Sequence, residues 1–188
     1  MVRFSLLRFA APALLGGLAL LGGCCANNIC DCPGEAKGDA VPLTFSADTA
    51  TTASPGFRAA DLDTLVLRRY PLPYKTTSKF DEVLLYRRGA RVRDTLVLNN
   101  NTPFAQSGNL KLSGYAYELL YLAHPANVRK GVATRVVLIE RIALKGALEG
   151  DGCCTCHTNT GKYVTVAGRP DSLNLTGAQA PSIILTKP

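Results

Sequence analysis

An all-β domain is the fold class this 188-residue chain predicts, on three observations. Apolar residues come in short runs rich in Val, Leu, Ile, Thr and Tyr, as half-buried strands require. Gly, Pro and Asn clusters separate those runs. The strongest helix candidate, residues 117–122, is too short and too aromatic to overturn the pattern. About seven to eight short strands at this spacing make a single antiparallel β-sandwich or partly open barrel over residues 56–188.

The expected strands are residues 62–70, 82–87, 95–98, 110–112, 115–123, 135–144, 162–166 and 182–186. An earlier run at 41–45 is expected to add an edge strand. Between them, Pro71-Leu72-Pro73, Arg88-Gly89, residues 99–103, His124-Pro125 and Gly150-Asp151-Gly152 carry turn and loop chemistry. The pentapeptide at 63–67, Asp-Thr-Leu-Val-Leu, recurs at 94–98 with no later copy. Two similar sheet strands explain that better than a repeated module.

Ahead of the domain, Arg3 and Arg8 precede an apolar segment that begins near Phe9 and ends at Leu21-Gly22-Gly23-Cys24. A basic start, a short apolar middle and a small-residue exit form an export signal. Residues 9–23 include Pro12 and fall short of the roughly 20 apolar residues a spanning helix needs. The four residues ending in Cys24 resemble the lipobox of bacterial lipoproteins. The arrangement also resembles β-rich lipoproteins of Bacteroidetes-type bacteria. The resemblance implies removal of residues 1–23, lipid on the Cys24 sulfur and its new amine, and a protein held by that lipid to the cell envelope, at the outer membrane. Ordinary signal cleavage after Ala26, leaving a soluble exported chain, is the alternative. Residues 24–55, rich in Gly, Ala, Thr, Ser and Asp, read as a tether between lipid and domain.

Removing residues 1–23 from 188 leaves 165, enough for one domain with a real core. Loss of Arg3 and Arg8 lowers the net charge from +7 to +5. The remaining bases, at Arg68-Arg69, Arg87-Arg88, Arg91, Arg93 and Arg129-Lys130, are interleaved with acids. That spacing suits solvated strand ends and turns better than an anion-binding patch. Export also makes nucleic acid an unsuitable partner, leaving an envelope protein or a glycan.

Seven cysteines occur; with Cys24 lipidated, Cys25, Cys30, Cys32, Cys153, Cys154 and Cys156 remain. An even number in an oxidising compartment reads as disulfides, here between the tether and a late loop. Two alternatives use the same stretch. Cys153, Cys156 and His157 match the Cys-x-x-Cys-His attachment motif of haem c, for which His124 is the one remaining imidazole. Cys153, Cys154, Cys156 and His157 could equally supply thiolate and imidazole to Zn²⁺ or Cu⁺.

Nothing in the chain spells an enzyme. The pattern Gly-x-Ser-x-Gly, a phosphate loop, a dinucleotide fingerprint and a calcium loop are all missing from the sequence. Adjacent Asp81 and Glu82 would point to opposite faces of a strand, so they cannot act as an acid and base pair. Glu118, Glu140 and Glu149 would need the fold to bring them together. Tyr115, Tyr117 and Tyr121 share parity and therefore one strand face, which suits packing better than a binding platform. No cofactor is expected, and the function read from the sequence is a structural or binding role at the envelope.

Overall fold

Alternation of apolar and polar residues in Val-Pro-Leu-Thr-Phe sets the architecture. In the computed structural model these residues form β1 (Val41–Phe45), with Val41, Leu43 and Phe45 buried and the two residues between them half-buried. The structure describes residues 40–49, 55–105, 111–123, 131–151, 154–177 and 181–188. Nine strands lie among them: β1, β2 (Thr64–Pro71), β3 (Asp81–Tyr86), β4 (Leu96–Leu98), β5 (Tyr115–Ala123), β6 (Val132–Asp151), β7 (Cys154–Val166), β8 (Leu173–Asn174) and β9 (Ile183–Leu185). Their helical turns are three short 3-10 segments, and no helix among the described residues is long and apolar enough to cross a membrane.

The strands form two sheets, one of order β4-β1-β9 and one of order β3-β2-β5-β6-β7-β8, not closed into a barrel. The all-β sandwich read from the sequence is therefore the architecture found. Contacts divide the chain into Gly34–Ala147 with Thr158–Pro188, and Met1–Pro33 with Leu148–His157. Of the latter unit, the described backbone is strand from β6 and β7.

The alternation expected of half-buried strands appears in the core. Leu65 and Leu67 of β2, Tyr115, Tyr117, Leu119 and Tyr121 of β5, and Val137 and Ile139 of β6 face Val41, Leu43, Phe45, Leu98, Ile183 and Leu185 of the smaller sheet. Register ties the first set together: Leu65 pairs with Tyr121, Leu67 with Leu119, and Tyr117 with Ile139. Phe57 sits between the layers, with its ring edge-on to Phe45 and Tyr121 at centroid distances of 5.7 Å each. The same-parity tyrosines of β5 are thus core, as packing required.

Several boundaries differ from the expectation. β1 is the central strand of its sheet, antiparallel to β4 and parallel to β9, rather than an edge. The packed body consequently takes in part of the stretch read as tether. β6 and β7 run well beyond residues 135–144 and 162–166, β8 had no counterpart, and Leu112 begins a 3-10 turn instead of ending a strand. The two Asp-Thr-Leu-Val-Leu copies fall in different sheets, in β2 and β4. The turn at 99–103 forms as its composition required, with Asn99 Oδ1 accepting the backbone N–H of Asn101 at 2.8 Å and of Thr102 at 2.7 Å.

Four charged residues are buried in the described structure, and Lys162 is the deepest of them. Lys162 of β7 is 2% exposed and its Nζ donates to the Ala40 carbonyl at 2.6 Å, tying β7 to the residue before β1.

Because β1 is central, its apolar face should carry a full core penalty. Leu43→Ala is expected to lower unfolding free energy by about 2–5 kcal/mol. Val97→Ala on the neighbouring β4, where Val97 is exposed, should cost under about 1 kcal/mol. Urea denaturation of the two variants measures both; equal small losses would place β1 outside the cooperative core.

Candidate functional site

β5 is buried on both faces, so the face turned away from the sandwich core is where its polar chemistry concentrates. Ala116, Glu118 and Leu120 lie on that outer face, and Glu118 is only 4% exposed. Register places Arg68 of β2 beside Glu118, and Glu82 of β3 beside Arg68. The three charges form a ladder across neighbouring strands, alternating in sign. Arg68 Nε donates to Glu82 Oε2 at 2.7 Å, and its Nη1 lies 3.6 Å from Glu118 Oε2.

The other two partners come from opposite directions. Tyr70, two residues along β2 and so on the same face, donates its hydroxyl to Glu118 Oε2 at 2.8 Å. Arg135 of β6 reaches Glu118 Oε1 with Nε and Nη2, each at 2.6 Å. It can do so because β6 slips by one residue against β5: Leu138 opposes Glu118 and Val137 opposes Leu119, but Arg135 opposes Leu120. The extra residue, Val136, is a bulge, and without it Arg135 would lie on the inner face.

Burial alone would raise the Glu118 pKa. The hydrogen bonds from Tyr70 and Arg135, with the charges of Arg135 and Arg68, more than offset it and hold the carboxyl below its usual range. Tyr70 is pushed up to about 12, by burial first and then by the hydrogen bond to Glu118. Arg68 is raised chiefly by its hydrogen bond to Glu82. With both carboxylate oxygens engaged and a phenol kept protonated, the cluster has the properties of a cross-strand lock. Phe80 extends it: the Arg68 guanidinium lies 4.8 Å from that ring's centroid, and Tyr70 and Tyr74 pack edge to face nearby.

On the inner face the adjacent arginine is handled the same way. Arg69 Nε donates to Asp81 at 2.8 Å and Nη1 to the Ala105 carbonyl at 3.2 Å, while the guanidinium stacks 4.6 Å from the Phe104 ring and 4.7 Å from Tyr115. Asp81 and Glu82 therefore do lie on opposite faces, each serving its own arginine. Glu118 is not joined to Glu140, which is exposed on β6. Arg87 is buried over Phe45, donates to the Asp94 carbonyl, and leaves Nη1 without a hydrogen-bond partner among the described residues. Burial lowers its pKa. Arg93 donates to the Phe57 carbonyl.

The outer edge of β3 has no strand partner among the described residues. This strand ends the larger sheet, and its outer-face residues Leu84 and Tyr86 are 46% and 67% exposed. Even its inward Val83 and Leu85 are only half-buried. The other strands that end a sheet are short: β4 and β9 have three residues each and β8 has two, against six for β3, while β6 and β7 run on past their pairing with β5 and β8. A groove of about 430 Å³ also opens beside β9 and the β6 bulge, with Arg135 and Arg169 among its lining residues.

Of the residues singled out from sequence, Cys24, Cys25, Cys30, Cys32, Cys153 and His124 lie outside the described residues. Cys154, Cys156 and His157 belong to the backbone span of β7, with their side chains outside the description. Among the described residues no group of three His, Cys, Asp or Glu side chains is placed to hold a metal ion. The Glu118 cluster escaped sequence reading because it depends on register and on the bulge. No known protein family, curated protein or solved structure matches this chain.

The lock predicts opposite pH effects at its two ends. A carboxyl depressed on folding contributes stability that is present above its ordinary pKa and lost as pH falls through the folded value. Glu118→Gln should therefore flatten the decline in stability below about pH 5, while costing about 1–3 kcal/mol at neutral pH. A phenol raised on folding loses its contribution as pH rises from about 10 toward about 12, so Tyr70→Phe should flatten that alkaline decline. Melting temperature against pH for wild type and both variants tests the pair; unchanged slopes would remove the lock.

Proposed function

We propose that this chain is a lipid-anchored protein of the bacterial cell envelope, exported by residues 1–23, held at the outer membrane through Cys24, and serving as a binding module. The observation that carries the binding role is the β3 edge, where Leu84 and Tyr86 stand exposed on a strand paired with β2 on one side and, among the described residues, with no strand on the other. Unpaired backbone groups on a strand edge are the standard means by which one chain adds to the sheet of another, and the side chains beside them select the partner. A protein partner fits this edge better than a glycan, since exposed Tyr86 stands beside Leu84 on a strand whose outward backbone groups are unpaired among the described residues, while Phe80, Tyr70 and Tyr74 pack on one another or on Arg68.

A non-catalytic role is supported by the state of the acidic groups. Glu118, Glu82 and Asp81 are each committed to an arginine, and Asp61 to Lys187 at 2.9 Å. None of these carboxylates is left facing a cleft with an unshared partner in the manner of a general base.

The anchor has a direct test. In an exporting bacterial host, wild type should fractionate with membranes and Cys24→Ser should not, and intact mass without reductant should show acyl chains at Cys24. Loss of six hydrogens in that mass would fit three disulfides among Cys25, Cys30, Cys32, Cys153, Cys154 and Cys156. An unlipidated chain starting at Asn27 would overturn the anchor, and added haem or metal mass would replace the disulfide assignment.

A further inference from the structure

The free edge of β3 has a defined hydrogen-bonding face. Arg87 N–H donates to the Asp63 carbonyl at 2.8 Å, continuing the register in which Thr64 opposes Tyr86. In an antiparallel pair, residues that exchange hydrogen bonds alternate with residues that do not. Asp81, Val83 and Leu85 therefore direct their backbone groups toward β2, and Glu82, Leu84 and Tyr86 direct theirs away from the sheet. Arg88 extends the run, with φ −129° and ψ 154°. Gly89, at φ +58°, ends it.

Along the outer face this edge reads Glu82, Leu84, Tyr86, Arg88, an acid and a base flanking two apolar residues. Read antiparallel against itself about Leu85, the run is self-complementary. Glu82 meets Arg88, Leu84 meets Tyr86, and the reverse pairs follow by two-fold symmetry. All four positions are ones whose backbone groups face the free edge, so the hydrogen-bond pattern and the side-chain pattern agree. Shifting the axis by one residue to Leu84 would keep the hydrogen bonds but oppose Glu82 with Tyr86 and Arg88 with Phe80. Only the axis at Leu85 matches charge with opposite charge.

From this we infer that the partner of the β3 edge is the β3 edge of a second copy, the two larger sheets joining across a two-fold axis at Leu85. This rests on the binding role proposed above and names its partner. Arg88 is exposed and has no acidic partner among the described residues, so its charge is available. Glu82, although bonded to Arg68, is a carboxylate with further acceptor capacity. An isologous pairing of this kind leaves no free β3 edge in the assembly.

A photo-crosslinking residue at position 86 tests the inference in the full chain in an exporting host. Tyr86→p-benzoyl-phenylalanine should give, on irradiation, an adduct of twice the chain mass with the link near Leu84. An adduct with a different protein would overturn self-pairing and leave the binding role standing. No adduct at all would remove both. The register has its own test, read against melting temperature as the control for folding. Arg88→Glu, which opposes like charges twice in the dimer, should lower adduct yield about tenfold at sub-saturating expression. Glu82→Lys combined with Arg88→Glu should restore it, and a double variant no better than the single one would overturn the axis at Leu85.

Discussion

A carboxylate with almost no access to water sits at the centre of the larger sheet, and the arrangement around it follows from that. Glu118 cannot be buried charged without donors on both oxygens. β2 supplies Arg68 and Tyr70, and β6 supplies Arg135 only because Val136 is bulged out. Apolar alternation has a period of two residues, so it tolerates a slip of two in either strand pair. The charge ladder does not: a two-residue slip of β2 would place Glu118 beside Val66 or Tyr70 in place of Arg68. Hydrophobic burial supplies the driving force, and the buried ion cluster selects one register from those burial alone permits.

The same economy explains the charge balance. Arg68 and Arg69 are adjacent in sequence and point to opposite faces, where Glu82 and Asp81 meet them in mirrored order. Buried Arg87 turns to the Asp94 carbonyl and the Phe45 ring, and Arg93, at the surface, donates to the Phe57 carbonyl. A net charge of +7 therefore includes several guanidiniums consumed by the fold, and the excess is not gathered into one basic face by these residues. Lys187 follows the pattern near the C-terminus, bridging to Asp61 while lying 5.4 Å from the Tyr121 ring.

What could be read from the sequence was local. Val, Leu and Tyr alternation located β2, β3 and β5 to within two residues at either end, because a strand half-buried on a core must alternate. β6 and β7 were underestimated, since Lys145, Gly146, Thr158 and Gly161 interrupt the apolar pattern while the ladder continues through them. β8, at two residues, is too short to generate a pattern. The central place of β1 was illegible for a different reason: strand order is a long-range property, and β1 pairs with residues 96–98 and 183–185. Glu118 was visible as one of three glutamates, but its partners depend on two registers and one bulge, none of which has a local signature.

Edge strands show where a sheet protein guards itself and where it does not. Of the four strands that end a sheet, three are only two or three residues long, which limits what another chain can pair with there. β3 lacks that protection: it has six residues and continues extended at Arg88, with Leu84 and Tyr86 exposed. Its charges are placed at the two ends of the run, where they do not prevent pairing but decide which pairing is permitted. A strand meant to repel neighbours would carry like charge at its centre; this one carries opposite charges about an apolar centre, a pattern that rejects most strands and accepts its own reverse. Anchoring by lipid would confine copies to one surface and raise their effective concentration, so a contact of modest strength could assemble there without being strong in solution.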